Sequence, residues 1–261
     1  MKHYRVFKFN WHYIFFFKFI YIKLLPHSNY SSRKHATIIL SFGAKKKRKK
    51  ILSFGNSEQA LFGSMAVAAG KWSGTAMLVI DMQNDFILPE GPMYVAGGKA
   101  IVPAVIHAVS VARDRGIPVI WVVREHDPFG RDVEVFRRNL YANGKGPTVE
   151  GSKGAELVEG LAPIFGEYKL VKTRFSAFFN TNLNSLLQST GINSLVIVGV
   201  QTPNCIRQTV FDAVASNYQP VTVIVDATAA ATPVVHTANI HDMKNIGVVT
   251  PTLEEWCSTD A

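Results

Sequence analysis

The chain has 261 residues, 48% of them hydrophobic, which is enough for one full-sized domain with a sizeable core. The formal net charge of +9 is unevenly distributed along the chain. Residues 1–64 carry 13 Lys and Arg and a single acid, whereas residues 65–261 carry 15 basic and 18 acidic residues. This distribution argues against a nucleic-acid-binding surface over the whole protein. The two cysteines, Cys205 and Cys257, are too few for a disulfide scaffold and favour a reducing, intracellular compartment.

The first predicted unit is the basic segment 1–64, which we expect to be an extension without fixed structure. Its apolar stretch Tyr13–Leu25 is interrupted by two lysines and is too short and too charged for a membrane span. Three interpretations stay open. The segment is a leader upstream of an initiator at Met65, an organellar targeting segment, or an arm in which Lys45–Lys50 binds an anion or serves as a nuclear address.

The second predicted unit is residues 65–261, where continuous apolar runs alternate with segments of helical periodicity. In chain order the pattern predicts strands at 76–81, 117–123, 169–172, 194–200, 221–227 and 248–249, and helices at 101–115, 182–188, 205–217 and 233–245. This alternation predicts a three-layer α/β/α, Rossmann-like fold with a mostly parallel central sheet. Residues 127–154 are polar and contain glycines, which is typical of a surface excursion or lid.

Three chemically active side chains stand at the carboxyl ends of predicted strands. Asp81 and Lys172 each close a strand, and Cys205 shortly follows another. Because ligands bind beyond the carboxyl ends of parallel strands, we expect these side chains to meet. A helix beginning at Cys205 and a nearby Lys172 ammonium would both favour the thiolate, and Asp81 could take the thiol proton. The combination predicts nucleophilic catalysis by cysteine.

The sequences VIDMQNDF (79–86), VKTRFSAFFNTNL (171–183) and GVQTPNCIRQTVFDA (199–213) resemble the three signature blocks of the isochorismatase-like cysteine hydrolases. That superfamily includes nicotinamidases, N-carbamoylsarcosine amidase and ureidoacrylate amidohydrolases. The resemblance spans about residues 73–256 and keeps the blocks in order. It is greatest to plant nicotinamidase-like members and to the ureidoacrylate amidohydrolase group.

The resemblance assigns a role to each matched position. It implies that Asp81 is the general acid/base, Lys172 the positioning cation and Cys205 the nucleophile. It also implies a cis peptide bond between Val200 and Gln201, with the backbone N–H groups of Gln201 and Cys205 aimed at an oxyanion. The implied reaction is hydrolysis of a C–N amide or ureido bond of a small molecule through a thioester.

The metal site that nicotinamidases of this family usually carry is altered. That site is an Asp-x-His pair after the second strand with a further His, whereas this chain has Arg124-Glu125-His126-Asp127 there. We therefore predict a metal-independent enzyme without a cofactor. The superfamily branch that cleaves the isochorismate ether lacks the cysteine, so Cys205 argues against isochorismatase activity itself.

Four further residues are predicted to line the substrate site. Arg124 and Arg174 lie near strand ends and could hold a substrate carboxylate, although a structural salt bridge is an equal alternative for each. Phe86 and Phe178 could wall the pocket, although core packing is an equal alternative. Cys257 lies outside the motifs and is interpreted as incidental.

Two other functions stay open: a catalytically inactive nicotinamidase-like protein with a binding role, and a metal-dependent nicotinamidase. The expected partner is a small-molecule substrate, with no nucleic acid and no membrane, and the family implies a homo-oligomer. We expect a cytoplasmic location, unless residues 1–64 direct the chain to an organelle.

Overall fold

The computed structural model describes residues 36–40, 50–54 and 70–259 and divides the chain into two compact units, Met1–Ser64 and Met65–Ala261. In the first unit, β1 (Ala36–Leu40) pairs antiparallel with β2 (Lys50–Phe54). The sequence did not predict this strand pair, since residues 1–64 were expected to lack fixed structure. Three features of the sequence analysis lie outside the described residues: the apolar stretch at 13–25, the basic run up to residue 49, and Met65.

A five-stranded sheet forms the centre of the second unit. Its strands are β3 (Thr75–Ile80), β4 (Val119–Arg124), β5 (Tyr168–Lys172), β6 (Ser194–Val200) and β7 (Val221–Ala229). The strand order is β5-β4-β3-β6-β7, and every neighbouring pair is parallel. Strands β3, β4 and β6 are buried along their whole length, as their uninterrupted apolar sequences require.

Helices cover both faces of this sheet. They are α1 (Asn84–Ile87), α2 (Gly98–Asp114), α3 (Leu183–Ser189), α4 (Arg207–Ala215), α5 (Pro233–Asn245) and α6 (Leu253–Ser258). Alternate β3 residues face opposite cores: Met77 and Val79 pack with α2 and α6, whereas Leu78 and Ile80 pack with α3, α4 and α5. The predicted three-layer α/β/α architecture is therefore confirmed.

Two predicted elements differ from the structure. The helix predicted at 205–217 is a π-helical turn (Thr202–Ile206) followed by α4, which ends before Asn217 because that residue has a φ of 63°. The strand predicted at 248–249 is a single bridge between Thr222 and Val249. The short helices α1 and α6 were not predicted, although a Thr252–Glu255 capping box marks the start of α6.

The segment 127–154 contains a 3₁₀ helix (Val135–Tyr141), and its Val149 forms a bridge with His126, two residues beyond the end of β4. It therefore has local structure of its own beyond the end of β4. None of the helices in the described part of the chain has the length and apolar character needed to cross a membrane.

Candidate active site

Three predicted catalytic side chains meet beyond the carboxyl edge of the sheet. Lys172, the last residue of β5, places its Nζ 2.8 Å from Asp81 Oδ2 and 3.3 Å from Cys205 Sγ. The Lys172 ammonium also donates to the carbonyl oxygen of Arg174 at 3.2 Å. All three side chains are buried, with Cys205 only 5% exposed. The ammonium group thus connects the carboxylate to the sulfur.

Asp81 has an unusual backbone conformation. It follows β3 directly and has a φ of 53°, in the left-handed region that costs a non-glycine residue about 1–3 kcal/mol. Its Oδ1 is buried and has no hydrogen-bond partner among the described groups, because Lys172 binds Oδ2. A strained residue with a free buried carboxylate oxygen is well placed to accept a proton.

Cys205 lies in the π-helical turn between β6 and α4, and it is not the first residue of the helix as predicted. The turn is closed by a 3.3 Å hydrogen bond from Ile206 N to the carbonyl oxygen of Gln201. Thr209 Oγ1 donates to the carbonyl oxygen of Cys205 at 2.6 Å and accepts from Ala177 N at 3.0 Å. These bonds fix the cysteine backbone to the segment that follows β5. The Val200–Gln201 bond is cis, as the motif resemblance implied.

The electrostatics of the thiol differ from the sequence-based expectation. Burial raises the pKa of Cys205, and the negative charge of Asp81 raises it further, whereas Lys172 and Arg124 lower it. The net shift is upward because a fully buried sulfur loses its hydration and faces an anion as well as two cations. The upward shift favours the neutral thiol over the thiolate, so a nucleophilic role for Cys205 would require a base.

Arg124 is a central component of the site, although the sequence suggested it only as one of two substrate ligands. It ends β4, and its backbone is held by the Gln83 side chain, which accepts from Arg124 N at 2.8 Å and donates to Arg124 O at 2.7 Å. Its guanidinium lies 3.9 Å from both Cys205 Sγ and Asp81 Oδ2. Gln83 received no predicted role; its only sequence signal was its position inside the first motif block.

Glu134 and Arg137 complete the charged cluster, and sequence analysis missed both. Glu134 accepts two hydrogen bonds from Arg124, at 3.0 and 3.4 Å, and lies 3.3 Å from Arg137 Nε. Burial alone would raise the pKa of Glu134, but the hydrogen bonds and charge of Arg124 outweigh it and lower the pKa overall. Burial and the neighbouring Arg124 lower the pKa of Arg137. The Phe175 ring lies 5.4 Å from both guanidinium carbons.

The other predicted substrate ligands lie elsewhere. Arg174 donates to the backbone carbonyl oxygens of Asp132 and Thr173, so its guanidinium ties the segment 127–154 to the end of β5. Phe86 is buried in the core on the face of the sheet opposite Cys205. This position agrees with the alternative that Phe86 is a core residue. Phe178 is half-buried on the Cys205 face and packs against Tyr218, with ring centroids 5.6 Å apart. A substrate contact for these three residues remains a prediction.

The residues at the position of the family metal site do not fit a metal ion. Glu125 pairs with Lys169, and Asp127 pairs with Arg131. The His126 ring nitrogen Nε2 lies 3.3 Å from Arg124 Nη1, so a cation bound there would face a guanidinium. Burial and the charge of Arg124 lower the pKa of His126. Within residues that the structure describes, no three His, Cys, Asp or Glu side chains form a group able to hold a metal.

A separate cavity of about 430 Å³ lies next to β4 and β5. Its lining includes Trp121, Glu125 and Lys169, and contains none of Asp81, Lys172 and Cys205. The cavity is therefore distinct from the cluster of Asp81, Lys172 and Cys205.

A parallel sheet with Asp81, Lys172 and Cys205 at its carboxyl edge defines an α/β protein of the isochorismatase-like class. Residues 75–255 match the isochorismatase domain, and the chain belongs to the isochorismatase family, which confirms the resemblance seen in the motifs. A structure of an isochorismatase family protein from Desulfovibrio vulgaris superposes with a TM-score of 0.69 at 44% identity, covering 70% of this chain and 96% of that chain.

Two relatives of known name are also similar to this chain. An Arabidopsis thaliana protein named a probable inactive nicotinamidase is 67% identical over 190 residues, which is 72% of this chain and 97% of that protein. A ureidoacrylate amidohydrolase of Methylobacterium radiotolerans is 32% identical over 178 residues, which is 61% of this chain and 68% of that protein.

Proposed function

We propose that this protein is a metal-independent cysteine hydrolase that cleaves a C–N amide or ureido bond of a small molecule through a thioester. The observation that carries the proposal is the position of Lys172 Nζ, which contacts both the Asp81 carboxylate and the Cys205 sulfur in a buried site. A cysteine with an adjacent base and a cation has the parts that nucleophilic catalysis requires. Nothing in the proposed reaction needs a metal.

The reaction begins with proton transfer, because the raised pKa of Cys205 favours the neutral thiol. Asp81 takes the proton, and Lys172 and Arg124 stabilise the negative charge on sulfur. The thiolate attacks the carbonyl carbon, and the backbone N–H groups of Gln201 and Cys205 stabilise the oxyanion.

The intermediate then collapses in two stages. The C–N bond breaks as Asp81 returns the proton to the leaving nitrogen, which leaves an acyl group on the sulfur of Cys205. Water, deprotonated by Asp81, attacks the thioester carbonyl. The product acid departs, and the proton on Asp81 returns to the sulfur. The cycle therefore uses one carboxyl group as base and acid in alternation.

We expect this protein to hydrolyse ureido and carbamoyl compounds rather than nicotinamide. The similarity to a ureidoacrylate amidohydrolase supports a ureido substrate. The pairing of Glu125, His126 and Asp127 with neighbouring charged groups argues against the metal-dependent nicotinamidase alternative.

A second candidate is a protein that binds a small molecule without turning it over. It is favoured by the 67% identity to a protein named a probable inactive nicotinamidase. Loss of nicotinamidase activity and retention of another amidase activity are compatible, since the first depends on the metal position and the second on the cysteine cluster.

Ammonia release by the full chain tests these candidates. The panel contains ureido acids, carbamoyl amino acids and nicotinamide, each assayed with the unaltered protein and with Cys205→Ala. We expect release from ureido or carbamoyl compounds that the substitution abolishes, together with an acyl adduct on Cys205 in rapidly quenched samples. Release that persists in Cys205→Ala would refute the nucleophile. Binding without release by the unaltered protein would favour the second candidate. The expected homo-oligomer, the absence of nucleic-acid and membrane partners, and the cytoplasmic location remain predictions.

A further inference from the structure

The buried side chains around Cys205 form a row of alternating cations and anions, with a cation at each end. Lys172 pairs with Asp81 at 2.8 Å, Asp81 with Arg124 at 3.9 Å, Arg124 with Glu134 at 3.0 Å, and Glu134 with Arg137 at 3.3 Å. Three cations therefore share two anions. We call these five residues the ion-pair chain. It carries one excess positive charge in a place where burying a charge is costly.

Arg137 is the cation at one end of the ion-pair chain. This residue is 7% exposed, yet its Nε has no hydrogen-bond partner among the described groups, and its Nη1 contacts only the weak acceptor Met93 Sδ, at 3.9 Å. The Nε of Arg124 also lacks a hydrogen-bond partner there. Guanidinium groups are well suited to carboxylates because their planar donors match both oxygens. Two buried guanidinium groups with spare donors therefore indicate an anion site.

One carboxylate already lies between these two groups, and it comes from the protein itself. Glu134 belongs to the segment 127–154, immediately before the 3₁₀ helix, and its side chain caps no helix N–H. The next two residues, Val135 and Phe136, are 76% and 67% exposed, whereas Val133 immediately before Glu134 is buried. The Glu134 carboxylate is thus paired with two arginines at a point where the segment passes from the core to the surface.

The Glu134 carboxylate lies a short distance from the Cys205 sulfur. Arg124 Nη2 is 3.0 Å from Glu134 Oε1 and 3.9 Å from Cys205 Sγ, so the oxygen and the sulfur are less than about 7 Å apart. A molecule with its carbonyl carbon at the sulfur and its carboxylate at the position of Glu134 needs a linker of a few bonds. Ureido acids and the half-amides of short diacids have such linkers.

We propose that Arg124 and Arg137 form a carboxylate subsite beside Cys205, that Glu134 occupies it in this structure, and that the substrate is an anionic amide or ureido acid whose carboxylate displaces Glu134. This rests on the proposed hydrolase function and narrows its substrate class. Exchange of one carboxylate for another keeps the number of ion pairs constant.

The test compares a ureido acid with its uncharged counterpart on the full chain. N-carbamoyl-β-alanine and its methyl ester are assayed for kcat/KM, and the acid-to-ester ratio is the readout because it is internal to each protein preparation. We expect the unaltered protein to prefer the acid. Arg137→Met should reduce the ratio about 10- to 100-fold, the range for losing a hydrogen bond to a charged group. Glu134→Gln, which removes the competing anion, should lower KM for the acid several-fold.

Arg131→Met is the matched control. Arg131 is an arginine of the same segment, but its side chain is 73% exposed and pairs with Asp127, so the ratio should stay at its unaltered value. Arg137→Lys, which keeps the charge and loses the fork of donors, should give an intermediate ratio. Circular dichroism melting shows whether each variant is folded.

Binding to Cys205→Ala separates failure of this subsite from failure of the hydrolase. Acid and ester affinities are measured by calorimetry. Acid-selective binding that Arg137→Met abolishes, without turnover by the unaltered protein, would support the subsite and refute the hydrolase. Equal affinities for acid and ester, or a ratio unaffected in folded Arg137→Met, would refute the subsite even where turnover is observed.

Discussion

Lys172 Nζ and Asp81 Oδ2 lie 2.8 Å apart, and neither side chain has measurable exposure to solvent. Such a pair contributes less to stability than its Coulomb attraction indicates, because both charges have lost their hydration. Removing one partner has a larger effect, because the other charge is then buried without compensation. The pair therefore constrains which substitutions the site tolerates.

The first prediction concerns the stability of this pair. Lys172→Met leaves the Asp81 carboxylate without its closest cation, and we expect a loss of about 3–5 kcal/mol in the free energy of unfolding. Adding Asp81→Asn removes the uncompensated charge, so the double variant should be more stable than Lys172→Met alone. Urea unfolding of the four proteins of this double-mutant cycle measures the coupling. Additive losses would show that the two side chains do not stabilise one another.

The second prediction concerns the reactivity of Cys205. Burial and the charge of Asp81 raise the pKa of this thiol, so its alkylation by iodoacetamide should be slow at pH 7 and should increase only above the ordinary thiol range of about 8.5. The two partners have opposite effects. Asp81→Asn removes an anion that raises the pKa, and alkylation at pH 8 should become faster. Lys172→Met removes a cation that lowers the pKa of Cys205, so alkylation should become slower.

The measurement uses a Cys257→Ser background, so that Cys205 is the only thiol. Mass spectrometry then follows alkylation over a range of pH values. Equal rates for Asp81→Asn and Lys172→Met at pH 8 would contradict the assigned electrostatics. A rate for the unaltered protein at pH 7 as fast as that of a free cysteine would contradict the upward shift.

Much of the fold was predictable because the relevant signals are local. The strands are uninterrupted apolar runs, and β6 has the same limits as its prediction, Ser194–Val200. The meeting of Asp81, Lys172 and Cys205 followed from a topological rule, since each stands at the carboxyl end of a strand in one parallel sheet. The roles of these three residues came from the motif resemblance and remain predictions.

The rest of the site was not predictable, because it depends on contacts distant in sequence. Glu134 and Arg137 belong to a segment without periodicity, and only the fold brings them to Arg124. The net upward shift of the Cys205 pKa was not predicted, because burial, which motifs do not report, outweighs the lowering effect of Lys172 and Arg124. The helix predicted to begin at Cys205 begins two residues later, since periodicity does not distinguish a π-helical turn from an α-helix.

The third prediction concerns Gln83, whose side chain joins β4 to the residues around Ala155. Its amide exchanges two hydrogen bonds with the backbone of Arg124 and donates to Ala155 O at 2.8 Å. Gln83→Leu keeps the volume but leaves these buried backbone groups unsatisfied, so we expect a loss of about 2–5 kcal/mol in the free energy of unfolding. We also expect lower kcat/KM, because Arg124 loses its anchor.

Gln208→Leu is the control for this substitution. Gln208 is exposed on α4, and the same change there should alter stability by less than about 0.5 kcal/mol. Chemical unfolding measures both variants. A loss for Gln83→Leu no larger than that for Gln208→Leu would show that the backbone of Arg124 finds other partners.

The fourth prediction concerns the close approach of β6 to β3 next to the site. Gly199 has a φ of +114°, and a Cβ added to it would lie 2.1 Å from the carbonyl oxygen of Ile80, the residue before Asp81. Because the obstacle is backbone, Gly199→Ala must push the strands apart, and we expect a loss of more than about 3 kcal/mol. Gly191 also has a positive φ, of +71°, but a Cβ added there would meet no atom within 4 Å, so Gly191→Ala should cost only about 1 kcal/mol. Thermal and urea unfolding distinguish the two, and equal losses would show that backbone conformation alone, rather than the contact with Ile80, requires glycine at position 199.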